Sequence, residues 1–434
     1  MLVVTKFGGS SLSSATQFQK VKKIVESDIK RKIVVVSALG KRSSDDTKIT
    51  DLLYILHAHL KYSVSYSDIW DMIYSRYVEI KEKLNINYDI EQDLSDLYAE
   101  LNKNISKDYL VSRGEYLTAK LMSAYLGYEF VDAKDVILFD YSGNLNDELT
   151  QNKVKEAFDK YGNIVVPGFY GGYPNGEIHL LSRGGSDVTG SILAKCLQVS
   201  LYENWTDVSG VLAADPRIIN NPKSIKEITY SELRELSYMG ANVLHEETVF
   251  PVRSLNIPIN LKNTNDPLHP GTLIKNDCTD KENMITGIAG KKDFISFDIV
   301  KNHMSNEIGF LRKALSIFEK YNVSIDHIPS GIDSFSVICS QNNVNKYKYE
   351  IIADIKKELN ADVIVDELAL VAIVGRNMNG KSGICGKIFT TLGNLGINVK
   401  IIAQGPSELS IIIGVSTKDY DKALKELYNN LIGY

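Results

Sequence analysis

Short apolar runs rich in β-branched residues alternate with amphipathic stretches over residues 1–280, and this alternation constrains the fold more than any other feature. The runs are MLVVTKF, KIVVVSAL, YEFVDAKDVIL, NIVVPGF, VSLYENWTDV and IPINLKN. Short buried strands separated by helices are typical of a largely parallel sheet with helices on both faces. The sequence therefore predicts an α/β domain over residues 1–280. Residues 50–110 interrupt the pattern with a charged, tyrosine-rich, helix-periodic segment, which indicates a helical insertion.

An internal repeat begins after a turn rich in proline and glycine. Residues 309–331 align with residues 383–405 without a gap, and the apolar positions correspond. Each copy has the pattern of a strand, a loop, a helix, a strand and a further strand. We therefore predict two small α+β units, over residues 286–365 and 366–434, and expect that the C-terminal end can also contribute to the first unit.

The overall composition excludes several classes of protein. A length of 434 residues predicts two or three domains. A net charge of -5 and a pI near 5.9 provide no basic field for a nucleic-acid backbone, so we expect no nucleic-acid partner. No apolar run reaches the roughly 18 residues of a membrane span and the N-terminus has no targeting pattern, so we expect a cytoplasmic protein without membrane contact. The four cysteines and seven histidines have no metal-binding spacing, so no protein-bound metal is predicted.

Residues 375–382, GRNMNGKS, match the phosphate-loop pattern of many ATP-binding proteins. The other copy of the repeat has Asn306 and Glu307 where this loop has Gly380 and Lys381, so the repeat does not require the lysine. A phosphate loop also needs a later strand that ends in an aspartate to hold magnesium, and little sequence follows. We therefore interpret GRNMNGKS as a loop of the repeat and not as the ATP site.

A stronger candidate for a phosphate site is VVTKFGGSS near the N-terminus. Lys6 ends a predicted strand, Gly8 and Gly9 form a turn, and Ser10 stands where a helix is expected to begin. Backbone N–H groups in such a turn point at an anion, and the lysine adds a full positive charge. The alternative is an ordinary strand-to-helix turn with Lys6 in solvent.

Two motifs place an arginine beside glycine and a carboxylate: SRGEYLTAK and LLSRGGSDVTG. Arg183 can clamp a carboxylate with two hydrogen bonds, and Glu115 or Asp187 can meet an ammonium group. That combination suits an α-amino acid. The alternative is a helix cap with an exposed arginine.

A third motif, NWTDVSGVLAADPR, has two polar residues directly after an apolar run. Thr206 and Asp207 stand where a strand is expected to end, and Arg217 follows an Asp-Pro turn. Such positions are common nucleotide contacts, although an Asp-Pro pair is often only a turn.

Eight motifs together resemble those of the aspartokinases, which are amino-acid kinases with tandem C-terminal ACT domains. The motifs are KFGGSS, VVVSAL, KITDLL, SRGE, LLSRGGSDVTG, WTDVSGVLAADPR, YMGANVLHEETVFPV and KNTNDPLHPGTLI, in the same order and at similar spacing. The resemblance covers essentially the whole chain and implies an amino-acid kinase fold followed by two ACT units. It implies phosphoryl transfer from ATP to the β-carboxylate of L-aspartate, giving 4-phospho-L-aspartate, the first step towards lysine, threonine and methionine. It also implies feedback inhibition by an end-product amino acid.

The resemblance also implies roles for individual residues. The expected catalytic residues are Lys6, which stabilises the transferring phosphoryl group, and Asp187, which orients the lysine. The expected substrate-binding residues are Ser37, Thr50, Glu115, Arg183 and Ser186. The expected nucleotide-binding residues are Lys6, Gly8, Gly9, Ser10, Thr206, Asp207 and Arg217. Mg²⁺ is expected only in complex with the ATP phosphates, with no tightly bound cofactor, and Leu212 and Asn265 depart from the family pattern near the expected nucleotide contacts.

The ACT resemblance implies an amino-acid effector, namely lysine, threonine or both, and a homodimer or tetramer formed through the ACT units. The expected effector contacts in the first copy are Met304, Glu307, Gly309, Phe310, Leu311, Ser324, Ile325 and Asp326. Those in the second copy are Asn379, Ile384, Asn398 and Gln404. The alternative for these residues is a plain dimerisation surface.

Two other functions compete with a regulated aspartate kinase. One is an amino-acid kinase for glutamate, acetylglutamate or a nucleotide, which would not predict SRGE and TDVSGVLAADPR together with two ACT units. The other is a catalytically silent amino-acid sensor. The presence of Lys6, Arg183 and Asp187 disfavours the sensor.

Overall fold

The computed structural model describes residues 1–182, 184–241, 244, 246–279 and 283–433. Their contacts divide the chain into two compact units. The first comprises the described residues within 1–211, 226–230 and 243–278, and the second comprises those within 212–225, 231–242 and 279–434. The second unit thus includes segments 212–225 and 231–242, which lie in the span 1–280 predicted as the catalytic domain. The predicted domain limits themselves stay a prediction. Among the described residues, no helix is long and apolar enough to cross a membrane.

The first unit is built on an eight-stranded sheet in the order β3-β4-β2-β1-β7-β9-β10-β8. All neighbouring strands in it are parallel except β9 and β10. The strands are β1 (Val3–Phe7), β2 (Arg31–Val36), β3 (Glu129–Phe130), β4 (Ile164–Pro167), β7 (Leu201–Thr206), β8 (Glu227–Thr229), β9 (Ile259–Asn263) and β10 (Thr272–Lys275). A separate antiparallel pair consists of β5 (Tyr170–Gly172) and β6 (Ile178–Leu180). The predicted parallel α/β sheet is confirmed, and its central strand β1 is wholly buried.

Helices join these strands, as the alternation predicts. They are α1 (Ala15–Glu26), α2 (Ile49–Lys61), α3 (Ser67–Leu84), α4 (Ile90–Glu100), α5 (Lys107–Leu126), α6 (Ala133–Val136), α7 (Asp147–Tyr161), α8 (Gly185–Cys196) and α10 (Glu246–Arg253). Helix α9 (Tyr230–Tyr238) also lies between two of these strands in the chain, but after Tyr230 it belongs to the second unit. Helices α2, α3 and α4 lie in the stretch that was predicted as an insertion, and their buried faces join one apolar core with α1 and α5.

One predicted strand of the first unit is only partly formed. The run YEFVDAKDVIL contains only the two-residue strand β3, and helix α6 follows it. The reason is local, because the carboxylate of Asp132 accepts a hydrogen bond from the backbone N–H of Lys134 and caps the new helix.

The second unit contains a five-stranded antiparallel sheet in the order β12-β11-β13-β15-β14. Its strands are β11 (Gly287–Val300), β12 (Ser334–Ser340), β13 (Asp362–Val374), β14 (Val399–Gln404) and β15 (Ser410–Val415). Its helices are α11 (Phe310–Lys320), α12 (Gln341–Val344), α13 (Lys348–Leu359), α14 (Ile384–Asn394) and α15 (Tyr420–Leu431). Strand β11 takes part in both halves of the sheet, because residues 287–291 pair with 370–374 and residues 294–300 pair with 362–368.

The two copies of the repeat differ at one predicted strand. In the second copy this segment is β14, but residues 325–330 of the first copy form only isolated bridges, at His327 and Ser330. Pro329 has no N–H to donate to a ladder, and the carboxylate of Asp326 accepts the backbone N–H of Ser340. The first copy therefore has an irregular edge where the sequence predicts a regular strand.

Candidate active site

A buried ion pair lies at the carboxyl edge of the parallel sheet. Lys6, on β1, is 7% exposed, and its Nζ lies 2.5 Å from Oδ1 of Asp187 in the first turn of α8. A lysine this deeply buried is held by its partner and not by solvent. The structure therefore excludes the alternative in which Lys6 points into solvent.

The glycine turn lies directly beside this ammonium group. The Gly8 N–H donates to the Trp205 carbonyl at 3.0 Å, and a Cβ added at Gly8 would lie 3.4 Å from Lys6 Nζ. The Gly9 carbonyl accepts the Gly40 N–H at 2.9 Å. A Cβ at Gly40 would lie 2.4 Å from the Gly9 backbone, so the two loops touch through backbone atoms alone. Ser10 lies in a short 3-10 turn (Gly9–Leu12), where a regular helix was expected to begin.

The loop after β2 brings two predicted substrate residues to the same edge. Phe7 and Val36 are partners in the parallel pair of β1 and β2, and the Ser37 N–H donates to the Phe7 carbonyl at 3.2 Å. The loop then returns to the start of α2, where the Ile49 N–H donates to Leu39 at 3.1 Å. Thr50 is the second residue of α2 and is half-buried.

Glu115 is a buried carboxyl group on α5 that has an unused oxygen. The residue is 4% exposed, and its Oε2 has no hydrogen-bond partner among the described residues. Burial raises the pKa of this carboxyl group to about 8, although a hydrogen bond from the Ala38 backbone and the charge of Lys6 both lower the pKa. A carboxyl group with these properties is suited to receive a cation from a ligand.

The start of α8 contributes the remaining described part of the predicted amino-acid site. Ser186 is buried there, and a Cβ added at Gly168 would lie 2.7 Å from its Oγ. The N–H groups of Asp187 and Val188 both donate to Gly184. Arg183, the predicted carboxylate clamp, lies outside the described residues.

Two predicted nucleotide residues end strand β7, next to β1. Phe7 and Trp205 are partners in the parallel pair of β1 and β7, which places Thr206 at the same edge as Lys6. The Thr206 hydroxyl donates to the Asp207 carboxylate at 3.1 Å. Asn265, a departure from the family pattern, accepts hydrogen bonds from Lys20 at 2.8 Å and Gln17 at 3.1 Å.

Arg217 belongs to the second unit, as does Leu212. It is 83% exposed and pairs with Asp215, with 2.6 Å between Nη2 and Oδ2. Its nucleotide role stays a prediction.

One polar residue at the site was not singled out in the sequence. Asn204 on β7 is 3% exposed, and its Nδ2 donates to Asp187 Oδ1 at 2.9 Å. The only signal in the sequence is an amide side chain in the middle of a buried strand, in LYENWT. A side-chain amide is costly to bury without a partner, so this position could have been selected on that ground.

The predicted effector residues of the first copy are of two kinds. Met304 and Phe310 are buried in the apolar core of that copy, whereas Leu311 is 41% exposed. Glu307 pairs with Lys301 at 2.5 Å and with Lys313 at 2.9 Å. The remaining residues of the set are Gly309, which precedes α11, and Ser324, Ile325 and Asp326, which follow it.

The predicted effector residues of the second copy lie around α14 and β14. Ile384 is buried, Asn398 and Gln404 are exposed, and the Asn379 amide donates to the Ser407 carbonyl at 3.1 Å. All roles in effector binding stay predictions.

The phosphate-loop match in this copy is not an anion site. The Gly380 N–H donates to the Glu408 carboxylate at 2.8 Å, and Lys381 is exposed. A carboxylate in this position repels phosphate, which agrees with the interpretation from the repeat.

Comparisons with known proteins agree with this geometry. Residues 1–263 match the model of the amino acid kinase family, and residues 371–431 match an ACT domain model. The chain is 38% identical to aspartokinase 3 of Bacillus subtilis, over 98% of this chain and 97% of that protein. The aspartate kinase of Clostridium acetobutylicum, described as an allosteric enzyme, superimposes with a TM-score of 0.94 at 49% identity, covering 99% and 100% of the two chains.

Escherichia coli aspartokinase III has a similar fold at 26% identity. Its R-state complex with aspartate and ADP gives a TM-score of 0.76, and its T-state complex with lysine and aspartate gives 0.77. Both cover 99% of this chain, and respectively 100% and 99% of the E. coli chain.

Proposed function

Since the chain belongs to the aspartokinases of the amino acid kinase family, we propose that it transfers the γ-phosphoryl group of ATP to the β-carboxylate of L-aspartate. The products are 4-phospho-L-aspartate and ADP. The observation that supports this proposal most strongly is the pairing of Lys6 with Asp187 beside the glycine turn. Glu115 lies in the same site with an unused carboxylate oxygen.

The acceptor carboxylate needs no general base. A free aspartate side chain has a pKa of about 3.9, so it is already an ionised nucleophile at neutral pH. Catalysis therefore consists of holding two anions in line and neutralising the charge that develops between them. Lys6 supplies this neutralisation, and the N–H groups of Gly9 and Ser10 contribute backbone donors to the phosphoryl oxygens.

The amino-acid end of aspartate is held by groups of opposite charge. The Glu115 carboxylate receives the α-ammonium group, and Arg183 grips the α-carboxylate. Ser37, Thr50 and Ser186 donate hydroxyl hydrogen bonds to the substrate carboxylates. These roles rest on the burial of Glu115 and on the loop contacts that bring Ser37 and Thr50 to the carboxyl edge of β1 and β2.

The nucleotide occupies the neighbouring part of this edge. The ADP complex of the E. coli relative supports a nucleotide substrate, and Thr206 and Asp207 lie at the carboxyl end of β7, the strand that pairs with β1. Arg217 is the remaining predicted nucleotide residue. Mg²⁺ enters bound to the ATP phosphates as part of the substrate. Among the described residues, no group of three or more His, Cys, Asp and Glu side chains could hold a metal ion.

An end-product amino acid inhibits the kinase through the ACT units. The T-state complex of the E. coli relative with lysine supports lysine as the effector, and threonine stays the alternative. We place the effector against Glu307, Leu311, Ser324 and Asp326 of the first copy. The enzyme is proposed to work in the cytoplasm as a homodimer or tetramer formed through its ACT units.

Two assays test the proposal. Hydroxamate formation from ATP, aspartate and hydroxylamine should occur with aspartate and not with glutamate, since glutamate places its carboxylate one methylene further from the ammonium site. No hydroxamate with either substrate would identify a silent sensor, and preference for glutamate would identify a different kinase. Titrating the active enzyme with lysine, threonine and methionine, singly and together, identifies the effector.

A further inference from the structure

We propose that Asn204 is a positioning residue of the kinase site, which fixes Asp187 so that Asp187 holds Lys6 in line with the phosphoryl group. This inference deepens the proposed function and rests on it. The carrying observation is that one oxygen of Asp187 is shared. Oδ1 lies 2.5 Å from Lys6 Nζ and accepts the Asn204 amide at 2.9 Å.

The sheet itself brings Asn204 to this place. Lys6 and Asn204 are direct partners in the parallel pair of β1 and β7, so their side chains are neighbours on one face of the sheet. Asp187 reaches the same face from the first turn of α8, and the Tyr202 hydroxyl donates to its backbone carbonyl at 3.0 Å. Both the main chain and the side chain of Asp187 are therefore held from β7.

The shared oxygen explains why an amide is useful at this position. A carboxylate that binds only a flexible lysine can rotate and carry the ammonium group with it. A second donor, fixed on a strand and 3% exposed, restricts that rotation. Asn204 also adds a partial positive charge to Asp187 without competing for the proton of Lys6, because an amide N–H donates but does not titrate. Misplacement of a catalytic group by about 1 Å can lower the rate about a hundredfold. Because Lys6 acts on the phosphoryl group and not on aspartate, we expect the loss in kcat.

The test compares Asn204→Leu with Asn260→Leu, which is the same substitution on the adjacent strand β9. Asn260 pairs in the sheet with Glu203, so its side chain lies on the opposite face from that of Asn204, and its Oδ1 is buried without a hydrogen-bond partner among the described residues. We expect Asn204→Leu to lower kcat about tenfold or more, with KM for aspartate within about twofold of the wild type. Asn260→Leu should keep the wild-type kcat. Thermal unfolding verifies that both variants are folded.

Asn204→Asp provides a second readout, the pH dependence of kcat, which would not change if Asn204 had a purely structural role. A protonated carboxyl group at this position donates the same hydrogen bond as the amide, whereas an ionised one repels Asp187. The ratio of variant to wild-type kcat should therefore fall as pH rises from about 5 to 9, because two carboxyl groups this close share a proton at low pH.

The outcomes separate this inference from the proposed function. A folded Asn204→Leu variant with wild-type kcat, or an Asn204→Asp ratio that is constant with pH, would overturn the positioning role. A wild-type protein that is inactive on aspartate would instead contradict the function.

Discussion

Lys6 is the residue on which the proposed chemistry depends most. Replacing Lys6 with alanine removes the ammonium group that lies beside the glycine turn. Asp187 then keeps its hydrogen bond from Asn204. We expect Lys6→Ala to lower kcat about a hundredfold or more without preventing folding. Initial-rate kinetics measure the loss.

The matched control for this variant is Lys381→Ala, in the loop that resembles a phosphate loop. Because Lys381 is exposed and the nearby Gly380 N–H is bound to Glu408, this change should leave both kcat and ATP affinity unchanged. Loss of ATP binding in Lys381→Ala, with binding spared in Lys6→Ala, would move the ATP site to the repeat.

Glu115 makes aspartate binding depend on pH. Burial raises the pKa of its carboxyl group to about 8, so the free enzyme carries a proton there at neutral pH. The substrate ammonium group requires the ionised form, and binding therefore releases this proton. KM for aspartate at saturating MgATP should fall as pH rises from about 6 to 8, and Glu115→Gln should show a high KM that does not change over this range. A wild-type KM that is constant over this range would contradict the role.

The buried Glu115 carboxyl group should also lower the stability of the ligand-free protein as pH rises. Its folded pKa lies above the ordinary value of 4.5, so the folded state binds the proton more tightly than the unfolded chain. The free energy of unfolding then decreases as pH rises from about 5 to 8. Glu115→Gln lacks this term, so its melting temperature should exceed that of the wild type by a margin that grows with pH. Melting curves at several pH values without ligand measure it, and a margin independent of pH would contradict the shift.

Among elements, the two loops that meet at Gly9 and Gly40 leave no room for a side chain. A Cβ at Gly40 would lie 2.4 Å from the carbonyl group of Gly9, and backbone atoms cannot move aside cheaply. Gly40→Ala should destabilise the protein by about 1–3 kcal/mol and raise KM for ATP, because the turn beside Lys6 is displaced. Gly386→Ala on α14 is the control: nothing lies within 4 Å of its added Cβ, so it should be neutral or slightly stabilising. Chemical denaturation compares the two.

Helix α9 offers a test of effector regulation within the second unit. Its Tyr238 hydroxyl donates to the Asp326 carboxylate, and its Glu232 is paired with Arg376. If the effector ammonium group binds Asp326, it must displace Tyr238. Tyr238→Phe should then lower the effector concentration for half-inhibition about fivefold and leave kcat unchanged. Tyr349→Phe, a highly exposed tyrosine on α13, is the control, and equal inhibition of Tyr238→Phe and wild type would contradict the contact.

Patterns of hydrophobicity predicted most strands and helices, but not the places where a predicted strand is interrupted. The fold class and the family are confirmed, since apolar runs such as VVTKF and KIVVV are wholly or almost wholly buried strands. The two errors, at YEFVDAKDVIL and at residues 325–330, both arise where an aspartate side chain competes for backbone N–H groups. Asn204 opens the motif NWTDVSGVLAADPR but was not selected from it, because its contact with Asp187 follows from strand register and not from the motif.

At the scale of the whole molecule, two different loops have sequences typical of a phosphate site, and only their structural surroundings distinguish the two. KFGGSS lies at the carboxyl edge of a parallel sheet, with a buried ammonium group and a neighbouring loop in backbone contact. GRNMNGKS lies in an antiparallel unit, and a glutamate already occupies its backbone donor. A short motif therefore becomes evidence for a function only together with the sheet that presents it.

The long strand β11 gives the repeated region an evolutionary consequence. A duplicated unit is normally free to be lost, copied again or exchanged between genes. Here residues 287–291 complete one half of the sheet and residues 294–300 complete the other, on one continuous strand. Deleting the first copy would remove β11 from β13, and deleting the second would remove most of β13 from β11. The pair is therefore expected to be inherited as a single module, although its sequence still records the duplication of one unit.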